Sequence, residues 1–415
     1  MFGKGAVLLV LGFSMVFLVF GQHFNDLTTR AVKNSADYFR EAKAYNIAAT
    51  GANIAANKIF FDENWSAGLN NVPFSDGKLN VDVDPNYDVF NQIKKVTSTG
   101  TYEGYSHSIT ILLQPAKFSE FAYYSFYETA DPNNPIWWYG TDTVWGPFHT
   151  QDYLNCAEHP VFMGPSTSTA KTIKYKTDKN HDKPYIGGKF SDKTNIPLPS
   201  NGLDPLKAAA IDDGHLFSGH DTVYITFKTD SITYRYAYKG AKTTVLASEL
   251  APNGVIFADN AVVRLQGTVK GVYSVAASGS GGKGTVYLDD DIIYHSDPRT
   301  NPSSTDLLGI LAKNNVWITN NSANNNNKNI NIQGSIYCET GGFGAQNYDT
   351  RSVSGNIYLL GGIIQKIRQA VGTFGTYGIT HGFAKRYRYD DRLLSVAPPV
   401  FPSTKGKFKV ISWLE

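Results

Sequence analysis

The sequence predicts a mainly β protein with a long N-terminal α-helix: a small α+β module followed by a β-solenoid. Three observations predict it. No proline or obvious turn interrupts the stretch from His23 to Phe61. Two-residue alternation runs through "GKLNVDVDPNYDVF" and "KKVTSTGTYEGYSHSITILLQP". Further on, pairs of short apolar alternations recur at intervals of about 20 to 27 residues, a period characteristic of solenoids.

The chain opens "MFGKGAVLLVLGFSMVFLVFGQHF", with Lys4 the only charge ahead of an apolar run from Ala6 to Phe20. A basic start followed by an apolar stretch is an export signature. At about 1.5 Å per residue the run falls short of a hydrocarbon core of about 30 Å. Three fates are open to it: cleavage after Gly5, cleavage after Gly21, or retention as an uncleaved anchor. Beyond it, Leu27, Arg30, Ala31, Asn34, Tyr38, Tyr45, Ala48 and Ala52 fall near helical spacing. Alanine and glycine dominate from Ala42 to Ala56, giving a smooth face that permits close backbone approach. Residues 1–22 are therefore anchor or leader, and 23–135 are amphipathic helix plus a small antiparallel sheet. Turns are expected at Pro85 and from Gly100 to Gly104. Ile109, Ile111 and Leu113 mark a buried sheet face.

Gly3-Lys4-Gly5 before "AVLLVLG", and then "AYNIAATGANIAANKI", resemble the N-terminus of PilX-type type IV pilus-assembly proteins. "VTSTGTYEGYSHSITILL" resembles the strand pair that follows the helix in that family. The resemblance implies a pilin-like module and cleavage after Gly5, with Ala6 as the mature N-terminus. Major pilins carry a glutamate at the fifth mature position, and here that position is Val10. The resemblance therefore implies a minor, pilus-associated component and not a main fibre subunit.

Residues 136–400 read as the β-solenoid. Val286 and Leu288 are followed by Ile292 and Tyr294; Ile310 and Ala312 by Val316 and Ile318; Ile330 and Ile332 by Ile336 and Cys338; Ile357 and Leu359 by Ile363. Each unit is two short strands joined by a polar corner, and stacking of units buries a continuous core. "GVIFADNAVVRLQG" starts the stack, and "GPFHTQDYLNCAEHPVFMG" supplies an earlier rung. Residues 166–250 are polar and proline-punctuated, and are expected to be an insertion on one edge. Asn320 to Asn331 is expected to be a solvated corner loop, and 401–415 a closing segment. "GPFHTQDYL", "GVIFADNAVVRLQGTVKG", "GGIIQKIRQAVG", "YRYDDRL" and "SWLE" are similar to an uncharacterised β-helical domain that follows PilX-like N-termini in bacterial envelope proteins. That likeness implies placement and no chemistry.

Charge and cysteine usage narrow the partners. A net charge of +2 over 415 residues gives no electrostatic reason to propose nucleic acid. Cys156 and Cys338 fit no metal spacing and share parity with core positions; whether they pair is open. Four constellations could carry chemistry. Asp212, Asp213, His215 and His220 offer carboxylates beside imidazoles for a metal, with spacing that also suits a surface turn. His149, Asp152 and His159 could form a general base pair. Asp289, Asp290 and Asp291, with His295 and Asp297, could hold Ca²⁺ at a corner. "KRYRYDDRL", from Lys385 to Leu393, could grip a glycan or form a salt-bridged strand. In each the structural reading outweighs the chemical one. No phosphate loop, nucleophile elbow, HExxH or CxxC occurs.

The sequence therefore predicts a non-enzymatic envelope protein without cofactor. Its expected partners are the inner membrane, pilin-like or pilus-assembly proteins and, further out, surface glycans. A secreted carbohydrate-active β-helix protein and a tethered scaffold unrelated to pili are the alternatives.

Overall fold

The computed structural model describes residues 3–129, 133–140, 142–170, 172–188, 190–192, 194–375 and 378–415. The chain is mainly β with one long N-terminal helix and divides into two units, 1–114 with 408–415, and 115–407.

In the first unit, α1 (Gly3–Phe61) packs on a sheet of β1 (Leu69–Phe74), β2 (Gly77–Asp88), β3 (Ile93–Tyr102) and β4 (Tyr105–Lys117). The closing strand Ser403–Leu414 is the fifth, beside β4. Ser75 and Asp76 join β1 to β2, and Glu103 and Gly104 join β3 to β4, all at positive φ. Such two-residue turns match the twist of the strands they connect.

Of the two turn expectations, the one from Gly100 to Gly104 is met only at its end, Glu103–Gly104, and the one at Pro85 is corrected. Gly100 lies within β3, and Pro85 lies within β2 where the β2–β3 register shifts between Asp84 and Asp88. A bulge absorbs the ladder donor that proline lacks. The module also ends near Gln114, short of the expected 135, and takes back residues 408–415. Phe408 packs on its core and the Tyr45 hydroxyl donates to Glu415 at 2.6 Å.

In the second unit, short strands pair in parallel with strands later in the chain, forming long ladders. One ladder runs from His215–Phe217 through Val255–Ala258, Val272–Ala277 and Leu307–Ala312 to 335–338 and 363–367. Another runs from Thr222–Thr229 through Val262–Val269 and Val286–Tyr294 to 330–332, 357–360 and 384–388. Inward residues stand in register, Ile310 on Ile336 on Ile363, and Val286 on Val316 on Phe343. All are buried.

The order of the rungs differs from the sequence reading. Tyr123–Tyr127 pairs with 363–367, and Phe148–Thr150, Ser166–Ser168 and Ser191–Asp192 continue that ladder. The 148–162 rung therefore follows the later ones in space and does not precede them. Residues 166–250 are not an edge insertion. Their first part extends the ladders, and 215–229 begins them at the other end. Between lies a return path. Ile196 accepts from the Tyr124 hydroxyl, the Leu203 N–H donates to Glu339, and Ala209, in the helix Asp204–Asp212, accepts from Asn253. An antiparallel pair, Ser231–Arg235 and Thr243–Leu246, covers the edge of Thr222–Thr229.

The asparagine run is more than a solvated corner. Asn324 is buried and donates to the Leu288 and Asp289 carbonyls, while its own carbonyl accepts from Arg351. Asn321 donates to the same Asp289 carbonyl and Asn331 to the Asp291 carboxylate.

Candidate functional site

The feature that most needs a partner is α1. Its C-terminal half has small residues at helical spacing, with Ala44, Ile47, Ala48, Gly51, Ala52, Ala55 and Ile59 buried on the sheet. The approach is close enough to exclude side chains on both partners. A Cβ on Gly100 would lie 2.2 Å from the Ala44 carbonyl oxygen, and one on Gly51 would lie 2.3 Å from Leu79. Ser98 donates to the Ala48 carbonyl at 2.7 Å in this dry contact. At the rim, Arg40 bridges Asp37 and Glu103, and Lys43 reaches Asp76. The Glu103 carboxyl is held below its ordinary range, first by Arg40.

Among the described residues the N-terminal half packs on nothing. Leu8, Met15 and Phe17 are each at least 70% exposed, and apolar side chains from Val7 to Phe20 cover the full circumference. Gly5 and Ala6, the expected processing pair, sit exposed near the helix start. By length and composition the segment is apolar enough to cross a membrane. A helix apolar all round requires lipid or other helices.

The sequence constellations are not assembled into centres. Among the described residues no group of three or more His, Cys, Asp or Glu side chains is placed to hold a metal. Asp212 and Asp213 are exposed at the end of their helix. His215 packs edge-on against Phe217 at 4.3 Å, and burial lowers its basicity. His220 stacks on Tyr236 at 3.5 Å. His149 is buried, bonded to Thr167 and stacked on Tyr124. Asp152 accepts the Glu128 N–H, and His159 meets the Lys183 carbonyl. Asp289 pairs with Arg264, Asp291 with Asn331, and Asp297 with Arg299. Both cysteines are free and buried, and burial pushes the Cys338 thiol up to about 12.

Sequence reasoning missed a buried ionic joint where 123–145 meets 363–388. Glu128 pairs with Arg368 at 2.8 Å, and Asp142 with Lys385 at 2.5 Å. Trp138 lies between them, its indole N–H donating to Glu128 and its ring 4.1 Å from the Arg368 guanidinium. Gln365 donates to the Tyr123 hydroxyl. Burial opposes the Arg368 charge, and Tyr123 and Glu128 more than offset it; burial draws the Lys385 ammonium below its ordinary range against Asp142. The expectation of a salt-bridged strand at 385–392 is met in part: Lys385 is paired, but with Asp142, and it faces inward, as do Tyr387 and Tyr389. Asp390 does pair with Arg392 at 2.6 Å. The parity of Lys385 with those two tyrosines was the available signal.

No protein-family model matches the chain, and no curated protein matches it. Among solved structures, the competence-associated pilin ComZ from Thermus thermophilus is similar over 90% of this chain and 97% of that one, with 11% identity and a TM-score of 0.37. A likeness so slight carries no argument.

Proposed function

We propose that this chain is a non-enzymatic, minor pilin-like component of the bacterial envelope, PilX-like at its N-terminus. The apolar half of α1 sits in the inner membrane or among neighbouring pilin-type helices, with the rest outside the cytoplasm. We read the stacked parallel ladders as a β-solenoid whose surface serves assembly or adhesion.

The single observation that carries this reading is the division of α1. One uninterrupted helix is apolar and exposed all round in its first half, and buried by small residues on a sheet in its second. Lipid or partner helices supply what the first half lacks, since the described residues bury none of it. The separation of the candidate acid–base and metal groups favours a structural role.

Deleting the gene in the native host tests the proposal. Loss of surface pili or adhesion, restored by the wild-type chain and not by Leu11→Arg, is expected. Unchanged piliation and adhesion in the deletion strain overturn it.

A further inference from the structure

The outer face of the parallel ladders carries a cleft that the assembly role does not use. Trp145 and Arg388 are register partners on adjacent rungs, about 4.8 Å apart along the stack. Trp145 is 40% exposed. Among the described residues the side chains of Arg388 and Asp391 make no hydrogen bond or ion pair, although both are exposed. The next rung offers Met163, 45% exposed, and then Gly164. A Cβ on Gly164 would lie 2.1 Å from the Gly146 carbonyl oxygen, so the floor there is bare backbone. Tyr389 fixes the corner from inside, its N–H on the Trp145 carbonyl and its hydroxyl on the Ser119 carbonyl.

These groups line an open cleft of about 590 Å³. A second, of about 190 Å³, shares Arg388, Tyr389 and Asp391 and continues to Pro298 and Leu360. Arg388 and Asp391 thus stand at the middle of a run longer than one small ring.

We propose that this run binds an acidic polysaccharide chain. A flat indole takes the C–H face of a sugar ring. A guanidinium without a protein partner takes a carboxylate bidentately. A free carboxylate accepts sugar hydroxyls. An extended, hydroxyl-rich chain bearing carboxylates answers all three at once. An apolar peptide would cover Trp145 and leave Arg388 and Asp391 desolvated without partners, which is costly.

The test is calorimetric titration of the full chain in detergent with an oligogalacturonate, and with the same oligosaccharide after reduction of its carboxylates to alcohols. The acidic oligosaccharide binds and the reduced one binds at least about tenfold more weakly. Arg388→Met and Trp145→Ala each weaken binding by about tenfold or more, with unchanged melting temperature, and Arg388→Lys restores part of the loss. Equal binding of the two oligosaccharides, binding of neither, or variants that bind as the wild type does would overturn the proposal.

Discussion

At the residue scale, Asp289, Asp291 and Asp297, which looked available for a metal, are taken up by hydrogen bonds, while Asp212 and Asp213 stay exposed. Asp182, outside those groups, shows what such bonding does. This buried carboxylate accepts from the Glu158, Thr177 and Asp178 N–H groups and from His181. Burial alone would raise its pKa; the His181 and backbone donors win and lower it to about 2 from 3.8. A carboxyl depressed on folding contributes stability above its unfolded value and loses it as pH falls through the folded one. The wild type should therefore lose stability between about pH 4 and about pH 2, and Asp182→Asn should lose less over that interval. Urea unfolding of both across that range checks it; parallel profiles would deny Asp182 the role. These bonds could not be read from the sequence, because three of the four donors are backbone groups, two placed by the turn at 177–182 and one by Glu158 on a neighbouring segment.

At the scale of elements, the helix–sheet contact was legible and its tightness partly so. Ala42 to Ala56 announces a smooth face, but glycine on the opposing strand reads as a turn until β3 is seen to run through it. Overpacking such a contact costs about 1–3 kcal/mol. Gly100→Val should destabilise the first unit by that order, whereas Gly12→Ala, whose Cβ meets nothing, should not; denaturant melts of the two variants decide it. The ionic joint is a second element-scale device. It lies where strands far apart in sequence become neighbours, 123–127 against 363–367, so no local pattern reveals it. Removing one partner of a buried pair leaves an unpaired charge, at a cost of about 3–5 kcal/mol. Arg368→Met should approach that cost, and adding Glu128→Gln should recover part of it. Additive losses in the double mutant would show that the pair is not coupled.

At the scale of the whole molecule, periodicity revealed which residues face inward and not the order in which rungs stack. Val286, Ile310, Ile330 and Ile357 were read as equivalent first members of their units, whereas the structure stacks Ile310 on Ile336 on Ile363 and Val286 on Val316. A two-residue alternation gives the inward parity and survives such an offset in stacking. The return path through 196–214 was not readable, since polar, proline-containing chain has the same composition whether it loops out or runs back beside the ladders. The central claim concerns the other end of the chain, where the apolar half of α1 is a working part of the mature protein. The mass of the N-terminal peptide isolated from the native host tests that most directly. The account predicts a peptide beginning at Ala6, with the apolar helix retained; a peptide beginning at Gln22 would contradict it.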